Sequence, residues 1–555
     1  MQSSVTVKAS VSQDVIAKVT RLFNGSLADI LNELFQNARR AVATRIGVTN
    51  GQHGEQHWIE ISDNGGGIAD PSHLLALGVS GWDAGIAARE DPAGMGLFAL
   101  AGRKTRITSF HGGDGFSLVV PADGWTGRKT LRVKKVFKGT GTRIRFEASA
   151  QWARDLREAV AKAARYLPLT VEHGGQHMES ADFLENAVLI EEILGVRIGV
   201  FAKTHHGYEP SINFHGVTIN RRLPRIAEAG LTGWSVKIDV VSAPDLQLVL
   251  PARKEVVETT FLAELMRACK CAIFRAIAQR GEHRLAYADW RDAQALGIIL
   301  PQARALLPLW CAPTAEDGFV LQDRCVPGAG ALLVAEMPVI EAQLLERAFQ
   351  MDNALKHTLI CANTAYIGYT WYDSLPCITQ CNITATHGGA VVRQDALGKA
   401  LAGDHRIDDA SITLDIASPA GLTNMIVPLD VVIGFHDENF SQLSDAMILV
   451  TRASMIVPED LSDLLFNALF EYWQDCDADS YESQSRNFRE EALHRAYQLL
   501  RSREAADLLR IENAMRTHIL WMVPRGQQLS TRISDTNCVV SVSDDEHQVL
   551  GHEPA

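Results

Sequence analysis

The sequence predicts a multi-domain α/β (α+β) chain: helices with a largely antiparallel sheet over 1–150, a second α/β domain over 151–285, a C-terminal mixed α/β region over 286–525 and a flexible tail over 526–555. Three observations predict it. Residues 22–43 place Leu27, Ile30, Leu31, Leu34, Ala38, Ala41 and Val42 at helical spacing with one apolar stripe. Short alternating runs then follow one another (HWIEISD, TRITSF, FSLVV, TLRVKKV, TRIRFEA), the mark of half-buried strands. The 555 residues also exceed the usual size of one domain.

The elements follow in order. Ser26 with Asp29 three residues on reads as a capping box that opens the first helix. The strand ending at Asp63 runs into a glycine turn, and residues 69–93, with Gly78, Gly81, Gly85 and Pro92, read as a loop segment before a helix near Gly96. A helix over about 151–166 leads to strands at VRIGVFAK, SINFHGVTIN and WSVKIDVV, then to LVLPARKEVVE and a helix over about 259–280. Farther on, GALLVAE, AVVRQ, ASITLDIA and AMILVT read as strands, and 460–473 and 483–520 as long helices. The second of these, with Phe488, Leu493, Tyr497 and Leu500, suits either a dimer contact or the core of a third domain.

Composition narrows the function. Hydrophobic residues make up 46% and charged residues 21%, ordinary for a globular chain. No run approaches the roughly 20 apolar residues that span a bilayer, and the N-terminus lacks the pattern of a secretory signal, so no membrane contact and a cytoplasmic location are expected. The formal charge of −13 opposes broad phosphate-backbone binding. Its densest basic stretch, Arg128 to Arg145, reads first as the solvent face of strands. The nine cysteines are spread without zinc-site spacing and are expected as free thiols. The acidic pairs Asp437–Glu438 and Asp475–Asp477 read as solvated loops, and His205, His206 and His387 lack ligand-like spacing.

Three motifs carry chemistry. In ELFQNARRA, Glu33 and Asn37 are four apart on a helix and share a face. A carboxylate there can activate a water, and an amide oxygen can ligate Mg²⁺. In DNGGGI, Asp63 at a strand end can accept from an adenine amino group, while Gly65 and Gly67 let backbone pass where a Cβ would clash. In DPAGMGLFAL, Gly94, Met95 and Gly96 precede an apolar run, and N–H groups at a helix start bind phosphate. Each motif alone also suits a solvated helix face or a plain turn. No G-x-x-x-x-G-K-[ST] occurs, which excludes a P-loop as the main site.

The order of these motifs, with GTGTRIRF at 139–146 as a fourth, resembles the N, G1 and G2 boxes and Gly-Thr box of the GHKL ATPases (the Hsp90, MutL, type II topoisomerase and histidine-kinase superfamily) over roughly 20–150. The resemblance implies a Bergerat-type sandwich that binds and hydrolyses ATP with Mg²⁺. Glu33 would be general base, Asn37 the Mg²⁺ ligand, Asp63 the adenine reader with Thr142 near the adenine edge, Gly94–Gly96 the phosphate cradle and 69–93 the lid. One position departs: Arg40 stands where many relatives have Asp. With Glu33 and Asn37 kept, metal binding and hydrolysis are expected to persist.

DLQLVLPARKEVVE (245–258) resembles the Hsp90 middle-domain stretch that sends a basic residue to the γ-phosphate, which implies a transducer-like second domain with Arg253, or else Lys254, in that role. A basic pair at a helix start is unfavourable with the helix dipole unless an anion faces it. A histidine kinase is disfavoured, because some 400 residues follow the ATPase region. The implied activity is an Mg-dependent, Hsp90-like ATP switch that closes as a homodimer and acts on protein clients. The alternatives are a MutL- or MORC-like clamp on DNA and a nucleotide-sensing scaffold without turnover.

Overall fold

The structure, a computed structural model, describes residues 26–76, 82, 96–126, 128–202, 210–229, 233–248, 255–315, 323–351, 357–401, 403–435, 443–474, 479–534, 536–544 and 548–551. It is mixed α/β and divides into two units, Met1–Arg304 and Ala305–Ala555.

In the first unit, helix α1 (Leu27–Arg40) starts at Ser26, whose Oγ accepts from Asp29 N while Asp29 Oδ2 accepts from Ser26 N. Its buried stripe is Leu27, Ile30, Leu31, Leu34, Phe35 and Ala38. The strands are β1 (Arg45–His53), β2 (Gln56–Asp63), β3 (Thr105–His111), β4 (Asp114–Val120), β5 (Val133–Val136), β6 (Thr142–Ala148), β7 (Thr170–His173) and β8 (Gln176–His177). They form one sheet in the order β5-β4-β3-β6-β2-β1-β7-β8. All pairs are antiparallel except β1 with β7. A parallel neighbour needs a crossover, and helix α2 (Ala150–Ala164) supplies it. Leu156, Val160 and Ala163 of α2 bury in the same core as α1 and the sheet.

The first core continues through Leu167 and Val171, because the crossover brings the chain back to its own sheet.

A second sheet in this unit contains β9 (Leu189–Ile193), β10 (Val196–Phe201), β11 (Ile212–Phe214), β12 (Val217–Ile219), β13 (Arg225–Ala227) and β14 (Gly233–Val240), ordered β12-β11-β14-β10-β9 with β13 also on β14. Helix α3 (Thr260–Arg280) covers it through Leu265, Ala272, Ile273 and Ile277. Thr259 caps its start by accepting from Leu262 N, and Gly281, at φ 83°, ends it.

In the second unit, β15 (Leu307–Pro308) pairs antiparallel with β16 (Arg324–Cys325); β17 (Ala331–Val334), β18 (Thr358–Cys361), β19 (Cys377–His387), β20 (Ala390–Arg393), β22 (Asp409–Ser418) and β23 (Gly421–Pro428) form a mixed sheet, and β21 (His405–Ile407), β24 (Val431–Phe435) and β25 (Ala446–Thr451) form another. Helices α4 (Val339–Met351), α5 (Pro458–Leu469) and α6 (Tyr481–Leu500) contribute to one core with both sheets.

Two expectations change here. The helix expected over 483–520 divides at Arg501–Ser502, where Ser502 caps α7 (Arg503–His518) by accepting from Ala505 N. The tail expected over 526–555 contains a three-stranded antiparallel sheet of Gln527–Ile533, Cys538–Asp544 and Gln548–Gly551. Among the described residues no helix is long and apolar enough to cross a membrane.

Candidate nucleotide site

The end of α1, the turn after β2 and the start of β6 meet. Gly66 N donates to Ala41 C=O at 2.8 Å. A Cβ on Gly65 would stand 2.7 Å from that oxygen, so only glycine lets the turn lie against the helix end. Asn64 fixes the same approach: its Oδ1 accepts from Thr44 N (2.9 Å) and Arg45 N (3.0 Å), and its Nδ2 donates to Thr44 Oγ1 (2.8 Å). Farther along the turn, Gly67 has φ +71°, and a Cβ there would stand 1.9 Å from Phe110 O. Gly65 and Gly67 are thus required by the chain's own backbone at Ala41 and Phe110.

Asp63 sits half-buried at the end of β2. Its Oδ1 accepts from Gly65 N (2.8 Å) and from Thr142 N (3.3 Å). Burial raises its pKa above the usual aspartate value, and the two backbone donors oppose that rise. Thr142 is buried, and its hydroxyl shares a 2.9 Å hydrogen bond with Ser109, whose Oγ accepts from Ile68 N at 2.9 Å. Gly141, at φ +66°, lies under Asp63, and a Cβ would stand 1.9 Å from Asp63 O. Ser109, Asn64 and Gly141 were not singled out in the sequence. Gly141 stands inside the Gly-Thr motif and Asn64 inside DNGGGI, whereas Ser109 has no signal beyond being small and polar.

Glu33, Asn37 and Arg40 share one face of α1. The Arg40 side chain is 1% exposed; its Nη1 donates to Asn37 Oδ1 at 3.0 Å and lies 3.9 Å from Glu33 Oε1. The residue that departs from the family pattern therefore contacts both residues expected to do chemistry. A divalent ion on Asn37 Oδ1 would share that oxygen with a guanidinium. At an effective dielectric near 20, two unit charges ~4 Å apart interact by ~4 kcal/mol, and a divalent ion doubles that. The side chains as they stand do not fit Mg²⁺ at Asn37. Among the described residues, no group of three or more His, Cys, Asp or Glu side chains is placed to hold a metal either.

Gly96 opens a 3-10 segment, Gly96–Leu100, where a helix was expected, and β3 begins at Thr105. Phe98 and Leu100 bury in the core shared with α1, and Phe98 meets Trp125 edge-on at 6.0 Å. Five residues of 3-10 structure add little dipole. Gly94 and Met95 lie outside the described residues, as does most of the expected lid.

Arg253 and Lys254 also lie outside the described residues. Their flanks pair at Leu248 and Val256. Helix α3 itself starts at Thr260. The basic stretch places Lys134 and Lys135 exposed on β5, an end strand of the first sheet, where lysines guard against edge-to-edge pairing. Asp437, Glu438, Asp475, Asp477, His205 and His206 lie outside the described residues. The described cysteines are free thiols.

Comparison of the chain with known protein families and with curated proteins finds no match.

Proposed function

We propose that the first unit is a GHKL-type ATP-binding module and that the chain works as an Hsp90-like conformational switch, cytoplasmic and homodimeric, acting on protein clients. The reading is supported above all by the meeting of separated motifs. The end of the Glu33/Asn37 helix bonds the glycine turn through Ala41 and Gly66, and that turn's Asp63 bonds Thr142. In this reading Asp63 accepts from the adenine amino group, Thr142 holds the carboxylate in place, and Gly94–Gly96 and Arg253 or Lys254 face the phosphates. Glu33 takes a proton from the attacking water. Arg40 must first move away from Glu33 for that to happen. Mg²⁺ does not fit Asn37 in the observed arrangement, and no step here passes through it.

The contact of Arg40 with Glu33 favours a second reading, a nucleotide sensor that binds without turnover. One experiment separates the two: ATP binding and hydrolysis by wild type, Glu33→Ala and Asp63→Asn. The switch predicts turnover lost in both variants and binding lost only in Asp63→Asn. The sensor predicts binding with no turnover in wild type. No ATP affinity in wild type would end both readings.

A further inference from the structure

We propose that Arg40 takes the place of the divalent cation on this helix face, so that the chain binds ATP as the metal-free polyphosphate anion. The inference rests on the nucleotide-binding reading above and specifies the form of the ligand.

Glu33, Asn37 and Arg40 lie at spacings of four and three, so their side chains converge. Hard divalent ions select sets of oxygen ligands; Mg²⁺ holds them at about 2.0–2.1 Å in near-octahedral geometry. An acidic residue at position 40 would add a carboxylate oxygen beside the Glu33 carboxylate and the Asn37 amide oxygen. Arginine reverses the sign: the face now carries a cation instead of attracting one. The guanidinium is permanently charged and is fixed by Asn37 Oδ1 at 3.0 Å, with Glu33 at 3.9 Å. Its side chain is 1% exposed, so its charge acts where solvent screens it least. A guanidinium also matches phosphate oxygens through its planar donors. The positive charge that a metal would supply is here part of the chain.

The test is ATP affinity of the full chain by calorimetry, once with Mg²⁺ and once with excess EDTA. Wild type is expected to bind ATP with affinities within about threefold in the two conditions. Arg40→Asp is expected to acquire a Mg²⁺ requirement of about tenfold or more, and Arg40→Lys, which keeps the charge, to remain metal-independent. Thermal unfolding of each variant shows whether it is folded, and the wild-type arm decides without any variant. Wild-type affinity that collapses about tenfold in EDTA and returns with Mg²⁺ would overturn the proposal while leaving nucleotide binding intact. Failure to bind ATP in either condition would overturn both.

Discussion

Gln36 Nε2 donates to the main-chain carbonyl of His215, joining the helix of Glu33 and Asn37 to the second sheet across 179 residues of chain. Gln36 is 3% exposed and His215 9%. His215 stands at φ 52° at the tip of the β11–β12 hairpin, beside Gly216, where a Cβ would meet Leu167 at 2.8 Å. Asn213 holds the tip, accepting from Gly216 N and donating to Asp239 Oδ1, both at 2.8 Å. Any shift of α1 on ligand binding therefore pulls on this hairpin.

Gln36→Met keeps the length of the side chain and removes the donor to the buried His215 carbonyl. Denaturant unfolding should show a loss of about 1–3 kcal/mol. Hydrogen exchange should further show that ATP changes protection at 211–219 in wild type and not in the variant. An ATP response retained in Gln36→Met would mean the signal takes another route.

The glycines of the site differ in what surrounds them. Gly141→Ala combines a left-handed backbone, about 1–2 kcal/mol for a non-glycine residue, with a Cβ 1.9 Å from Asp63 O. Gly112 has φ +59° and nothing within 4 Å of its would-be Cβ. Gly112→Ala should therefore cost about 1 kcal/mol, and Gly141→Ala distinctly more, with weakened ATP binding because Asp63 is displaced. Equal losses in the two variants would show that the close contact relaxes freely.

A buried carboxylate anchors the second sheet to α3. Glu228, whose side chain is 1% exposed, accepts from Trp234 Nε1 (2.6 Å), Arg284 N (2.6 Å) and Arg280 Nη2 (2.7 Å). Arg280→Ala leaves that charge without its cation and should cost about 3–5 kcal/mol. Arg304→Ala removes an exposed pair with Glu282 and should cost less than about 1 kcal/mol. Unfolding curves for both give the comparison, and similar values would contradict the assignment of Glu228 as a buried anchor.

What could be read from the sequence follows how local its causes are. Helix α1 announces itself by apolar spacing and by Ser26 with Asp29, and β6 by the alternation of buried Thr142, Ile144 and Phe146 with exposed Arg143 and Arg145. Strand β19 carries no plain signal, because CITQCNITATH mixes Cys, Gln, Asn and Thr with few apolar residues, and its register shifts between Ile378 and Gln380. At the C-terminus, Ser, Thr and Gln outweighed the alternating Val539–Val542 segment that pairs in the three-stranded sheet. Within the site, the Arg40–Asn37 bond lies within one helical turn, and its spacing was available; the Gln36–His215 bond has no local sign at all. Positions were legible where neighbours in sequence decide them, and partners were not.

Asp63 gives a prediction with a definite sign. Burial raises its folded-state pKa above the ordinary 3.8. In the native state the protonated form is therefore favoured relative to the unfolded chain. Its contribution to stability is present in full below pH 3.8 and is lost as pH rises through the raised value. At neutral pH the ionised carboxylate is held against its burial cost, so Asp63→Asn, which keeps an oxygen for Gly65 N and Thr142 N, should melt no lower than wild type at pH 7. As pH falls, the wild type should gain relative to the variant, and the gap between their melting temperatures should narrow. ATP affinity should move the other way: the adenine amino group needs the ionised acceptor, so wild-type binding weakens over the same acid range. A variant that melts well below wild type at pH 7 would show that the carboxylate stabilises the fold and is not kept for a ligand.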